Sequence, residues 1–370
     1  DLLSGVGLRI TEGVLQSLPV VGTYLSFFLF GGQFPGDDII ARLFTVHVLL
    51  IPGLFLALIS AHLMMVWYQK HTQYPLPGRT DKNAVGFPFF PVYTAKAGGF
   101  FFIVFGLTAL LSAFVSINPV WLFGPYEPTQ ISAGSQPDWY MGFLEGSLRM
   151  FPGLETQLFG FTIPWNVLVP ALVIPGFMFT AMGAYPFIEQ WVTGDKREHH
   201  VLDRPRNVPT RTGLGVMSIT FFLILLAGGA NDILATTFHL SINSITNLFR
   251  ILIFVLPPIA YVVTKRICLG LQRRDRETVL HGRETGIIQR LPNGEMIEVH
   301  APISDTERWM LTQHEAARPL ILEPSTDENG IPRRRILLSK VRAKVSRFYF
   351  EDNVTPPTPQ EVRELESGHH

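Results

Sequence analysis

Cysteine is nearly absent: Cys268 stands alone among 370 residues, so no intrachain disulfide can form. No Cys-x-x-Cys-His occurs, which excludes a covalently attached c-type haem on this chain. Charge is scarce at 16% of residues, and 30 basic against 30 acidic groups leave no net charge to attract a nucleic acid or other polyanion. The opening residues, DLLSGVGLRI, lack a basic segment followed by an apolar one; they read as a chain met in mid-fold rather than as a signal peptide. There is no internal repeat and no low-complexity stretch. Gly368-His369-His370 reads as the stub of a purification tag and carries no weight below.

What is plentiful is apolar. Hydrophobic residues make up 47% of the chain, aromatics 12%, and the mean hydropathy is +0.25, the profile of a membrane protein. Five segments approach the length that spans a bilayer: residues 43–68, 98–117, 164–188, 213–229 and 247–264. The expected fold is an all-α polytopic membrane protein with five transmembrane helices and its two ends on opposite sides. Lys70, Arg79, Lys82, Lys96, Lys196, Arg197, Arg204, Arg206, Arg211, Lys265, Arg266, Arg273, Arg274 and Arg276 fall on one set of connections. Only Arg9, Arg42, Arg149 and Arg250 fall on the other, so the richer set faces the cytoplasm.

This divides the chain into an outer surface segment over 1–42, a membrane region over 43–269 with an outward loop near 118–163, and a cytoplasmic tail over 270–370. In the tail, residues 287–300 alternate around Asn293-Gly294, which predicts a hairpin. Residues 337–350 mix Lys340, Arg342, Lys344 and Arg347 with apolar side chains, suiting either a helix on an anionic membrane face or a solvated surface helix.

His47 and His62 are the only histidines between Leu43 and Tyr68, and they are fifteen residues apart. That is close to four helical turns, so both imidazoles can share a face, about 22 Å apart along the axis and too far to share one metal ion. Each can hold one of two stacked haems, or each can be an interhelical hydrogen-bonding residue. The absence of any other ionisable group between them favours ligation, since intramembrane ionisable groups are costly.

The outward loop contains Gln136-Pro137-Asp138-Trp139-Tyr140. With the histidine pair and the helix pattern, it resembles cytochrome b of the quinol:cytochrome c reductases, whose outer quinol site carries Pro-Glu-Trp-Tyr. Asp138 replaces that glutamate and shortens the carboxylate by one methylene. The wider frame from Ser132 to Tyr140 resembles the actinobacterial branch, whose substrate is menaquinol. Residues 15–32 resemble the surface helix and turn before the fourth family helix, Gly7 falls on a small residue lining the quinol pocket, and Arg149 with Pro152 matches the end of the loop's second helix.

The resemblance implies a respiratory, proton-translocating quinol:cytochrome c oxidoreductase subunit in the cell membrane. Asp138, Glu145 and Tyr140 would act at the outer site, Gly7, Pro137 and Trp139 would line it, and a carboxylate there would accept a quinol proton. Glu145 stands where mitochondrial members carry tyrosine; its other reading is a solvated acid. His47 would ligate the outer of two b haems and His62 the inner, with the second axial ligands on earlier helices.

Phe89, Lys96 and His71 would form the inner quinone site, near Tyr93 and Thr94, although Ala97 stands where many members carry aspartate. Implied partners are a Rieske iron–sulfur protein, a cytochrome c subunit and an attached aa3-type oxidase, in a dimeric complex within the lipid membrane. Against the family's eight helices, the first three are missing here, which points to truncation or a longer polypeptide, with a naturally split protein as the alternative. Two other classes remain open on the residues alone: a non-redox transporter or scaffold with packing histidines, and a haem b anchor subunit of a membrane dehydrogenase.

Overall fold

The computed structural model describes residues 1–116, 118, 120–132, 134–312, 318–321, 336–358, 360–361 and 363–364. Ile117, Ala133 within the Ser132–Tyr140 frame, and His314 lie outside them. Helix α1 (Leu2–Gln16) is capped by Asp1, whose carboxylate accepts from the Ser4 N–H at 2.9 Å. After a turn comes α2 (Gly22–Phe30), stopped by Gly31 at φ 74°, a conformation open to glycine.

Among the described residues, five helices are long and apolar enough to cross a membrane: α3 (Ile39–Gln69), α4 (Phe89–Phe114), α6 (Trp165–Thr193), α7 (Pro209–Gly229) and α9 (Ile242–His281). Between α4 and α6 lie α5 (Gly142–Met150) and a hairpin of β1 (Glu155–Leu158) with β2 (Phe161–Pro164); α8 (Asn231–Phe238) joins α7 to α9. The most apolar windows of α3 and α4 bury nothing within this chain. So much exposed apolar surface is untenable in water and ordinary in lipid. The chain is a mostly helical, polytopic membrane protein.

Several helices outrun their apolar segments. The last continues through Gly270 to His281, because Gln, Arg and Glu are good helix formers and a change from apolar to charged residues does not break a helix. The tail then forms the expected hairpin, β3 (Arg283–Arg290) with β4 (Met296–Ala301), turning at Gly294 with φ 89°. Helix α10 (Asp305–Thr312) follows, and α11 (Ile336–Tyr349) occupies the second tail segment singled out above.

The chain forms two compact units. One comprises residues 1–69, 87–182 and 219–256; the other comprises 70–86, 183–218 and 257–370. Within the second unit, Asp81 accepts from the backbone N–H groups of His200 and Val201 at 2.9 and 2.8 Å, and Arg206 pairs with Asp275 at 2.9 Å.

In the first unit, Phe143, Met150 and Leu225 form a buried core, flanked by Ile174, Met178, Phe222 and Phe249. Helix α5 thereby packs against α7. A Cβ on Gly146 would collide with the carbonyl oxygen of Leu225, one on Gly142 would come within 2.6 Å of Leu226 Cδ1, and one on Gly228 within 2.9 Å of Met150. Backbones approach this closely only where side chains are missing.

Gly146→Ala is therefore expected to cost about 1–3 kcal/mol through overpacking, read as a lower thermal midpoint in detergent. Gly7→Ala, where a Cβ meets nothing within 4 Å, should leave that midpoint in place. Equal midpoints for wild type and Gly146→Ala would contradict the close packing.

Candidate functional site

The loop motif is held at its first residue. The Gln136 N–H donates to Asn118 Oδ1 at 2.9 Å, Asn118 Nδ2 donates back to the Gln136 carbonyl, and Gln136 Nε2 donates to Asp232 Oδ2 at 2.6 Å. Pro137 then leads into a single 3₁₀ turn, Trp139–Met141, which begins at Asp138 and is closed by the Met141 N–H on the Asp138 carbonyl at 2.8 Å. This turn leaves the side chains of Asp138, Trp139 and Tyr140 exposed. The Asp138 charge, and its hydrogen bond to the phenol, push the Tyr140 pKa up, so the two groups act on each other directly.

One turn further on, Glu145 lies in an ionic cluster centred on Arg149. Arg149 Nε donates to Glu145 Oε1 at 2.8 Å, while Nη1 donates to Asn231 Oδ1 at 2.8 Å and to Asp232 Oδ1 at 2.7 Å. Burial works against the Arg149 charge, but Glu145 and Asp232 together raise its pKa above the ordinary value. Burial likewise favours neutral Asp232, yet bonds from Gln136, Arg149 and the Ile233 N–H hold its pKa below the usual carboxylate range. Glu145 is thus a half-buried ion-pair partner rather than a freely solvated acid.

Arg250 Nε caps the end of α5 by donating to the Met150 carbonyl at 2.6 Å. Arg149 and Arg250 line a polar cleft of about 630 Å³ with Asn231, Asp232, Asn243, Thr246 and Asn247. Asp232 went unnoticed in the sequence; its signal was an Asn-Asp pair directly after an apolar helix. A second such group is Glu12 on α1, which is 4% exposed and held by Arg9 at 3.0 Å and by Gln16. Gly7 on the same helix is exposed, with open space where a side chain would project. The tight contact lies instead at Gly5, against the Tyr126 ring.

Among the described residues, His47 and His62 are both exposed along α3. His47 lies in a π-helical turn, Val46–Leu50, closed by the Ile51 N–H on the Val46 carbonyl. Pro52 accounts for the turn: it has no N–H for the carbonyl four residues back and its ring crowds that group, so the helix widens. Four α-turns take about 14.4 residues, and the wider turn takes up roughly one residue more. The fifteen-residue spacing therefore closes on about four turns, which sets His47 and His62 on one side of the helix.

Among the described residues, no three His, Cys, Asp or Glu side chains converge as a metal cage. A porphyrin brings four equatorial nitrogens of its own and asks the protein only for axial groups, which two exposed imidazoles on one apolar face suit.

The inner candidates divide between the units. Phe89 and Tyr93 stack at 5.8 Å between ring centroids, Thr94 Oγ1 donates to the Phe89 carbonyl at 2.7 Å, and Lys96 Nζ lies 4.4 Å from the Phe87 ring centre. His71 belongs to the other unit, where its ring lies beside Gly86 and Nδ1 is 3.0 Å from the Thr72 carbonyl.

Residues 1–125 match a family model described as Cytochrome b(N-terminal)/b6/petB. The cytochrome bc1 complex cytochrome b subunit of Streptomyces coelicolor is 56% identical over 371 residues, covering 100% of this chain and 68% of the relative. The subunit of the same name from Streptomyces lividans is 52% identical, with the same coverage. That of Mycobacterium tuberculosis is 49% identical over 308 residues, covering 83% of this chain and 56% of the relative. Aligned throughout its length with relatives this similar, the chain belongs to the cytochrome b subunits of cytochrome bc1 complexes, the quinol:cytochrome c oxidoreductases.

Proposed function

We propose that this chain oxidises menaquinol at the outer face and passes electrons both to a Rieske iron–sulfur protein and across the membrane to an inner quinone site. The observation that carries the reading is the Asp138–Tyr140 turn, presented beside the Glu145–Arg149 cluster in the same unit as the two histidines. Loss of two electrons from a quinol releases two protons. Asp138, exposed on the turn, accepts one of them. The Tyr140 phenol donates its hydrogen bond to that carboxylate, whose charge raises the phenol's pKa, so Tyr140 orients Asp138 rather than acting as a base. Glu145 accepts the other proton as its bond to Arg149 is released, and Arg149 keeps Asp232 as its counter-charge. Pro137 and Trp139 shape the wall of the site and Gly7 leaves room for the ring.

His47 holds the outer b haem and His62 the inner; when bound, the pair supplies one-electron stations between the two quinone sites. At the inner site, Phe89 offers an aromatic face and Lys96 is the proton donor. The working assembly is a dimer with the Rieske protein, a cytochrome c subunit and an aa3-type oxidase in the plasma membrane. Lys and Arg bias places the tail from residue 270 onward in the cytoplasm.

Asp138→Asn should slow menaquinol oxidation on the order of 10²-fold with haem content intact; unchanged turnover would remove its proton role. His62→Ala should lose the inner b-haem signal and keep the outer one, so retention of both would rule it out as a ligand. Pro52→Ala supplies the missing N–H and should draw the wide turn back toward α-helix, turning His47 by about 100° relative to His62. The expected readout is selective loss or shift of the outer haem band; a spectrum and potentials like those of wild type would separate Pro52 from haem placement.

A further inference from the structure

Helix α11 presents three distinct faces. Ala343, Ser346 and Tyr349 are buried. Ser346 Oγ accepts from the Leu320 N–H at 3.0 Å, and the Tyr349 carbonyl accepts from Thr210 Oγ1 at 2.6 Å. The Tyr349 hydroxyl donates to Glu189, and Arg342 Nε donates to the Trp191 carbonyl at 2.6 Å. Glu189 and Trp191 belong to the last turns of α6 and Thr210 to the first turn of α7, all in the unit that holds α11. The helix is therefore fastened at the level where two transmembrane helices leave the apolar layer, next to a tryptophan of the kind that marks a membrane interface.

The second face is apolar and uncovered. Leu338, Val341, Val345 and Phe348 are 50%, 48%, 38% and 52% exposed, and at about 100° per residue they form one stripe. One side of the Phe348 ring rests on Lys265, 5.4 Å from its centre. The third face carries Lys340, Lys344 and Arg347, all exposed, and among the described residues none of the three makes an ion pair. A stripe of aliphatic and aromatic residues bordered by unpaired cations, anchored at an interface, is complementary to an anionic lipid surface: the stripe reaches the upper acyl chains and the cations reach the headgroups.

We propose that α11 is an interfacial helix that binds anionic phospholipid of the cytoplasmic leaflet and fastens the tail to the membrane plane. This rests on the topology proposed above, which puts the tail on the cytoplasmic side.

The test uses the assembled complex carrying Val341→Cys, spin-labelled there, since the native Cys268 is buried; complex with native Val341 supplies the background. In vesicles containing phosphatidylglycerol, the label should collide with dissolved oxygen more than with a water-soluble nickel chelate. That preference should weaken in phosphatidylcholine alone or when Lys340→Glu and Lys344→Glu are added, by roughly fivefold in the binding equilibrium for each charge removed. A label open to the chelate in anionic vesicles would overturn the proposal, as would one shielded from both reagents, which would mean a protein covers the stripe. Sidedness is read separately with a membrane-impermeant thiol reagent on Asn293→Cys, exposed in the turn between β3 and β4 of the tail, in sealed right-side-out vesicles. Protection from outside supports the cytoplasmic placement, whereas labelling from outside would overturn it whatever the lipid contact.

Discussion

The backbones of α5 and α7 touch because neither carries a Cβ where they meet. Gly142 and Gly146 on one side, and Gly228 and Gly229 on the other, let the helices approach within carbonyl contact. Everything distinctive about the outer cluster follows from that approach. It seats Phe143 and Met150 in the core beside Leu225, and the opposite face of α5 then has to carry Glu145 and Arg149 toward Asn231 and Asp232. The scaffold is stiff where the chemistry is assigned, because a short helix pinned along one face cannot rotate its charged residues away.

Arg149 is the pivot of the charges so positioned. Its guanidinium uses Nε for Glu145 and Nη1 for both Asn231 and Asp232. A lysine ammonium, a single point of charge, could not meet that spread of acceptors. Glu145 and Asp232 share Arg149, and Arg250 lines the same cleft as Arg149 and Asp232. Asp138 differs in kind: it is exposed at the start of a turn, with Tyr140 as its neighbour, and among the described residues it forms no ion pair with an arginine.

The helices were legible in the sequence because lipid imposes length and apolarity, a constraint that composition records directly. The histidine pair was legible because two ionisable groups stand out in an apolar run. The family resemblance agrees with relatives named as cytochrome b subunits, which displaces the transporter and dehydrogenase-anchor readings. Other features were hidden for physical reasons. The π-helical turn at Val46–Leu50 depends on Pro52, whose effect is felt upstream of itself and so escapes a helix read by periodicity. The bond from Arg149 to Asp232 spans 83 positions in the chain, and no local pattern announces it. The true length of α9 was masked because hydropathy marks where a helix leaves lipid, not where it ends.

The central claim is that the exposed imidazoles of His47 and His62 hold two b haems. It is tested most directly by a dithionite-reduced minus oxidised visible spectrum of the purified complex, with pyridine haemochrome quantitation per copy of this chain. Two b haems per copy is the result the account predicts. No b haem in a well-folded, fully assembled preparation would contradict it and leave both histidines as packing residues.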